Sequence, residues 1–89
     1  MQRAIVTGGA GFIGSNLVDK LIDMGIEVTI LDDLSTGKKE NINPKAKFIE
    51  CDLSTVSQTD LTFYINGADT IFHLAALYYL RHIQWELNV

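Results

Sequence analysis

Eight consecutive residues near the amino terminus, Thr7-Gly8-Gly9-Ala10-Gly11-Phe12-Ile13-Gly14, carry the plainest chemical signal in the chain. Glycine lacks the side chain that keeps a bound phosphate at a distance, so closely spaced glycines let main-chain N–H groups reach an anion. Two spacings overlap in the run, Gly9-x-Gly11-x-x-Gly14 and Gly8-x-x-Gly11-x-x-Gly14. Gly8 suits a tight turn, Gly11 the approach of a pyrophosphate, and Gly14 the close packing of a helix on a sheet. A second chemical group, Asp32, stands eighteen residues beyond Gly14, where its carboxylate can accept hydrogen bonds from ribose hydroxyls. The phosphate loop of nucleotide hydrolases needs a lysine after its last glycine, and here the residue is Ser15. The alternative is a glycine-rich turn that serves packing alone.

These groups meet only if a strand enters the turn, a helix leaves it and a second strand ends at the acid. Ala4, Ile5 and Val6 give that first strand over 3–7, and Phe12, Ile13, Leu17, Leu21 and Ile22 recur at helical spacing over 11–24. Gly25 is placed to stop the helix, and Val28, Ile30 and Leu31 give a second strand over 27–31 with Asp32 at its carboxyl end. Residues 34–40 break the periodicity and read as a polar loop running on through Asn43-Pro44, in which Asp33, Lys38 and Lys39 have an ordinary reading as solvated charges. A third strand covers 47–51. Ser57-Gln58-Thr59-Asp60 has the spacing of a capping box, and it opens a short helix carrying Leu61, Tyr64 and Ile65 that Asn66-Gly67 ends. A fourth strand covers 70–74 and a last helix 75–87. This alternation predicts one α/β domain over 1–89, a truncated Rossmann fold whose four parallel strands lie in the order 3-2-1-4 when each crossover is right-handed. The crevice for a cofactor then lies beyond the carboxyl ends of strands one and four, where the small residues Ala75 and Ala76 leave room for a ligand.

Composition narrows the alternatives. Eighty-nine residues suffice for one core and leave nothing for a separate substrate domain. The apolar fraction is 47% and the net charge −4, with seven basic residues scattered, which argues against a nucleic-acid face or a basic membrane patch. No apolar run approaches the roughly 18 to 20 residues needed to cross a bilayer, and no signal-peptide layout precedes the first strand. The cytoplasm is the expected compartment. Cys51 is the sole cysteine, so no internal disulfide or cysteine metal cluster is expected, and its ordinary reading is a small buried apolar residue. His73 and His82 lack a placed partner for acid–base work, and His73 reads as a partly buried strand residue. No catalytic residue and no metal ligand is assigned.

With these residues in place, the chain resembles the extended short-chain dehydrogenase/reductase family, and within it the NAD-dependent nucleotide-sugar epimerases and dehydratases. The likeness runs through residues 7–16 (TGGAGFIGSN), 28–41 (VTILDDLSTGKKEN), 50–53 (ECDL) and 68–76 (ADTIFHLAA). It implies NAD as cofactor, with Phe12 and Ile13 against the pyrophosphate, Asp32 on the adenosine ribose, and Asp33, Ser35 and Thr36 along the adenosine side. Asp52 and Leu53 would hold the adenine, the Asp52 carboxylate accepting from the exocyclic amine. Leu74, Ala75 and Ala76 would line the ribose on the nicotinamide side. The likeness also implies a Ser or Thr and a Tyr-x-x-x-Lys pair for proton transfer. No lysine follows Lys47, and Tyr78-x-x-x-His82 and Tyr79-x-x-x-Ile83 cannot stand in, because the lysine charge lowers the tyrosine pKa. Residues 77–89 depart from the family's usual run.

The expected function is an NAD(H)- or adenine-nucleotide-binding domain that resembles the N-terminal half of such an epimerase and lacks its catalytic groups. Two others stay open: a self-associating structural or interaction module with an inherited, unused nucleotide site, and an epimerase active only when a partner chain brings the Tyr and Lys. Asp32 predicts NAD over NADP, since a 2′-phosphate would lie beside its carboxylate. Binding is expected to be weak and confined to the adenosine half. A second copy of the chain is the expected protein partner, because the apolar edge strand with Ile71, Phe72 and Leu74 has no strand after it. In the last helix, Leu77, Leu80, Gln84 and Leu87 would pack on the sheet, leaving Tyr78, Tyr79, Ile83 and Trp85 for a homodimer interface.

Overall fold

The computed structural model describes residues 1–35 and 37–74, so Thr36 and the helix expected over 75–87 lie outside the described residues. The elements are β1 (Arg3–Thr7), α1 (Phe12–Asp23), β2 (Glu27–Asp32), a 3-10 turn at Lys39–Asn41, β3 (Lys47–Glu50), α2 (Gln58–Ile65) and β4 (Thr70–His73). Four strands form one sheet in the order β3-β2-β1-β4, and every pairing is parallel. The expected order is therefore found, with differences only at element ends. Gly11 is the N-cap of α1 instead of its first residue, and β2 continues to Asp32. Cys51 and Leu74 fall just beyond β3 and β4, yet Cys51 N–H donates to the Asp32 carbonyl at 3.0 Å and Leu74 N–H to the Thr7 carbonyl at 3.2 Å. Each ladder thus runs one rung past its strand.

β1 has a neighbour on either side, and its residues Ala4, Ile5, Val6 and Thr7 are all buried. Side chains alternate along a strand, so Ala4 and Val6 share a face with Val28 and Ile30 of β2, and α1 meets that face with Val18 and Leu21. Gly14, Val18 and Leu21 are the buried residues of α1, one stripe at helical spacing. Each of the larger aliphatic side chains removed from water here stabilises the fold by about 1.5–3 kcal/mol. The helix stops at Gly25, whose φ of +80° allows Gly25 N–H to reach the Ile22 carbonyl at 2.9 Å and Ile26 N–H the Leu21 carbonyl at 3.0 Å. This paired closure turns Ile26 back into the core and hands the chain to β2.

α2 starts where Ser57 Oγ accepts the Asp60 N–H at 3.0 Å, while the return bond expected from the Asp60 carboxylate does not form. Leu61, Tyr64 and Ile65 are half-buried, as their spacing predicts, and no residue of α2 is fully buried. At the amino ends of the strands, Asp69 Oδ2 accepts the N–H groups of Gln2 at 2.8 Å and Arg3 at 3.3 Å. The Gln2 bond in particular holds the Asp69 carboxyl below its ordinary value, with the Thr70 hydroxyl and Arg3 N–H adding to it and desolvation opposing. Nearby, Arg3 Nε pairs with Glu27 Oε2 at 2.8 Å, but both side chains are well exposed and the pair contributes little.

Candidate cofactor site

At the opposite end of the sheet β1 enters the glycine turn. Gly8 takes φ +74°, donates its N–H to the Leu31 carbonyl at 2.9 Å and accepts the Gly11 N–H at 3.1 Å. No side chain caps α1, and Ser15 is the first residue whose N–H finds a carbonyl within the helix, that of Gly11 at 2.8 Å. The N–H groups of Phe12, Ile13 and Gly14 therefore form an open helix end, with the positive end of the dipole behind them. The Phe12 and Ile13 side chains are 82% and 66% exposed, so what these residues offer inward is main chain.

The glycines differ in what they tolerate. A Cβ on Gly14 would lie 2.0 Å from the Gly8 carbonyl oxygen and 2.9 Å from the Gly9 Cα, so the close packing expected of Gly14 is against the main chain of the turn. A Cβ on Gly11 would meet only the Gly8 oxygen, at 3.4 Å. Among the described residues, no packing contact requires glycine at position 11. A ligand lying against the turn would.

Asp32 closes β2 and is 8% exposed. Its Oδ2 accepts the Ala10 N–H at 3.0 Å and its Oδ1 the Leu34 N–H at 2.7 Å, which ties the glycine turn to the second strand. Each carboxylate oxygen keeps a further lone pair for a ribose hydroxyl. The chain then bends back: Leu34 has φ +62°, and the half-buried Asp33 accepts the Ser35 N–H on Oδ1 at 2.9 Å. Lys38 and Lys39 are exposed, as solvated charges should be. The loop settles on the glycine turn, where the Ala10 carbonyl accepts Lys38 N–H at 3.1 Å and Asn41 Nδ2 at 3.1 Å, and where a Cβ on Gly37 would fall 2.7 Å from the Ala10 carbonyl carbon. Sequence reasoning singled out neither Ala10, Gly37 nor Asn41. Ala10 lies within the glycine run and Gly37 and Asn41 within the stretch 28–41 that carries the family likeness, but nothing in their local pattern marks the contact between them.

Beyond β3, Asp52 is exposed and its Oδ1 accepts from Ser54 N–H at 2.9 Å and Ser54 Oγ at 2.6 Å, with the half-buried Leu53 beside it. Cys51 is buried, and burial first, then the carboxylates of Asp52, Asp33 and Asp60, push its thiol pKa up. Beyond β4 stands the half-buried Leu74. His73 corrects an expectation: it is exposed, because β4 is an edge strand, and it has a partner, with Thr7 Oγ1 and His73 Nδ1 2.9 Å apart across the ends of β1 and β4. Thr36, Ala75 and Ala76 lie outside the described residues. The remaining site residues, Gly8, Gly11 to Gly14, Asp32, Asp33, Ser35, Asp52, Leu53 and Leu74, all gather along the carboxyl edge of the sheet. Among the described residues no group of His, Cys, Asp or Glu is placed to hold a metal ion, and no helix is long and apolar enough to cross a membrane.

A parallel sheet in the order 3-2-1-4, a glycine turn opening a helix, and an acid closing the second strand together define a dinucleotide-binding Rossmann domain. Comparison with known proteins narrows this class: residues 4–87 match the NAD dependent epimerase/dehydratase family, and the chain belongs to it. It is 44% identical over 80 residues to the UDP-glucose 4-epimerase of Mycolicibacterium smegmatis, an alignment covering 84% of this chain and 25% of the relative. It is also 44% identical over 78 residues to UDP-glucuronic acid decarboxylase 1 of Arabidopsis thaliana, covering 82% of this chain and 16% of the relative. Among solved structures, the Thermus thermophilus UDP-glucose 4-epimerase complexed with NAD superposes with a TM-score of 0.71 at 37% identity, over 82% of this chain and 24% of that one. The chain thus spans about a quarter or less of the length of the relatives it matches.

Proposed function

We propose that these residues bind NAD(H) by its adenosine and pyrophosphate half, as the cofactor-binding part of a nucleotide-sugar epimerase or dehydratase. The observation that carries this reading is the open end of α1 beside Gly11, a position left free of side chain with no demand from packing among the described residues. The pyrophosphate would lie on the N–H groups of Phe12 and Ile13, the adenosine ribose on Asp32, and the adenine beside Asp52 and Leu53, with Asp33, Ser35 and Thr36 along its flank. Leu74, Ala75 and Ala76 would face the nicotinamide-side ribose. NAD held there supplies a hydride acceptor, and the residues named here bind and orient it without exchanging protons. The UDP-sugars in the relatives' names make a nucleotide-sugar the substrate class to try first.

Titration calorimetry tests the reading. NAD should bind, ADP should compete within about tenfold of it if the adenosine half dominates, and NADP should bind more weakly, because a 2′-phosphate beside Asp32 costs on the order of 1 kcal/mol. Absence of heat with NAD and ADP alike would leave the self-associating module as the better description. We further propose that this chain by itself pairs with a second copy along β4, an edge strand among the described residues whose Ile71 is 50% exposed.

A further inference from the structure

The loop after β2 is fastened to the glycine turn through one residue, Ala10. Ala10 is fully buried, its N–H is held by Asp32 Oδ2 at 3.0 Å, and its carbonyl oxygen takes Lys38 N–H and Asn41 Nδ2, each at 3.1 Å. That carbonyl belongs to the same planar peptide unit as the Gly11 N–H, which points at the Gly8 oxygen 3.1 Å away. Holding the Ala10 oxygen therefore fixes the plane from which α1 departs, and with it the direction of the Phe12 and Ile13 N–H groups. Of the two donors, the Lys38 N–H is main chain and survives any ordinary substitution at that position. The carboxamide of Asn41 does not. Asn41 is itself steadied by the 3-10 turn, in which its N–H donates to the Lys38 carbonyl at 2.9 Å and Ile42 N–H to the Lys39 carbonyl at 3.1 Å, while Ile42 packs against the core.

We propose that Asn41 is a positioning residue of the cofactor site, clasping the loop after β2 onto the glycine turn so that the pyrophosphate-facing N–H groups are preset. The proposal rests on the NAD reading of the site, and Asn41 acts through Ala10 without touching the cofactor. The position requires a donor: an aspartate there would set a carboxylate oxygen against a carbonyl oxygen, and only its protonated form could donate. Asn41 is itself exposed, so an aspartate there stays ionised at neutral pH.

The test is NAD titration of the unmodified chain, Asn41→Ala and Asn41→Asp at neutral pH, well below the melting temperature. N41A should weaken NAD by about three- to tenfold, the range that one neutral hydrogen bond supplies. N41D should bind more weakly than N41A, because its carboxylate is set against the Ala10 carbonyl oxygen, a ranking that mere loss of loop packing would not produce. Both variants binding NAD as the unmodified chain does, or N41D binding it as well as N41A, would overturn the role. An unmodified chain that does not bind NAD would instead sink the reading of the site. Amide hydrogen exchange of Lys38 and Gly11 then judges the clasp separately, faster exchange in N41A supporting it and unchanged exchange refuting it.

Discussion

At the scale of single residues the glycines of the turn separate folding from binding. Gly14 is required by the protein, since a Cβ there would sit 2.0 Å from the Gly8 carbonyl oxygen. Gly11 is not, since its φ of −78° suits any residue and its Cβ would find only one ordinary contact among the described residues. Gly14→Ala should therefore destabilise the fold by about 3 kcal/mol or more, as overpacking against rigid main chain does, and lower the urea midpoint. Gly11→Val should lower that midpoint much less, by about the 1 kcal/mol of a poorer N-cap, while NAD binding falls below detection by calorimetry. A Gly11→Val chain that still bound NAD would show that the pyrophosphate does not lie on this turn. Asp32 likewise serves twice, as a ribose acceptor by proposal and as the tie between turn and strand by observed geometry. Its substitution should weaken binding and stability together, which makes it the poorer probe of either.

At the scale of elements, β1, α1 and β2 were legible in the sequence because their signals are local: short apolar runs in the strands, apolar residues at helical spacing, and the Gly25 stop, although the buried stripe of α1 is Gly14, Val18 and Leu21, with Phe12 and Ile13 of the expected set exposed. The contacts that complete the site were not, because they join residues far apart in the chain. Nothing near Asn41 announces that its amide will meet the carbonyl of Ala10, 31 positions earlier, and the Thr7 partner of His73 is 66 positions away. The same holds for Asp69, which fastens the start of β4 to the start of β1. Its carboxyl is held below the ordinary value, so its contribution to stability is fully present above the ordinary aspartate range near about pH 4 and is lost as the pH falls through the lowered folded value. In urea titrations from neutral pH to about pH 3, Asp69→Asn should be less stable than the unmodified chain at neutral pH, with the gap closing below about pH 4. A gap independent of pH would mean that the carboxylate charge plays no part in the fastening.

At the scale of the whole molecule, the pairing proposed along β4 rests on its place at the edge of the sheet among the described residues. Light scattering on the 89-residue chain at micromolar concentration should give twice the mass of one chain, and Ile71→Glu, which places a charge beside that edge, should return it to one. A single-chain mass for the unmodified protein would refute the pairing. The strand order carries a further consequence for how the domain is made. β1 is synthesised first and pairs early with β2, Arg3 opposite Glu27, but its other side is filled only by β4, Ala4 opposite Thr70. The strand that leaves the ribosome first is thus the last to be completed. Until β4 arrives, the backbone of Ala4, Ile5 and Val6 is bare along one edge, the condition in which nascent chains seek wrong partners. A pause in translation, or a cut between β3 and β4, would leave the central strand half-paired and make the domain a client of chaperones.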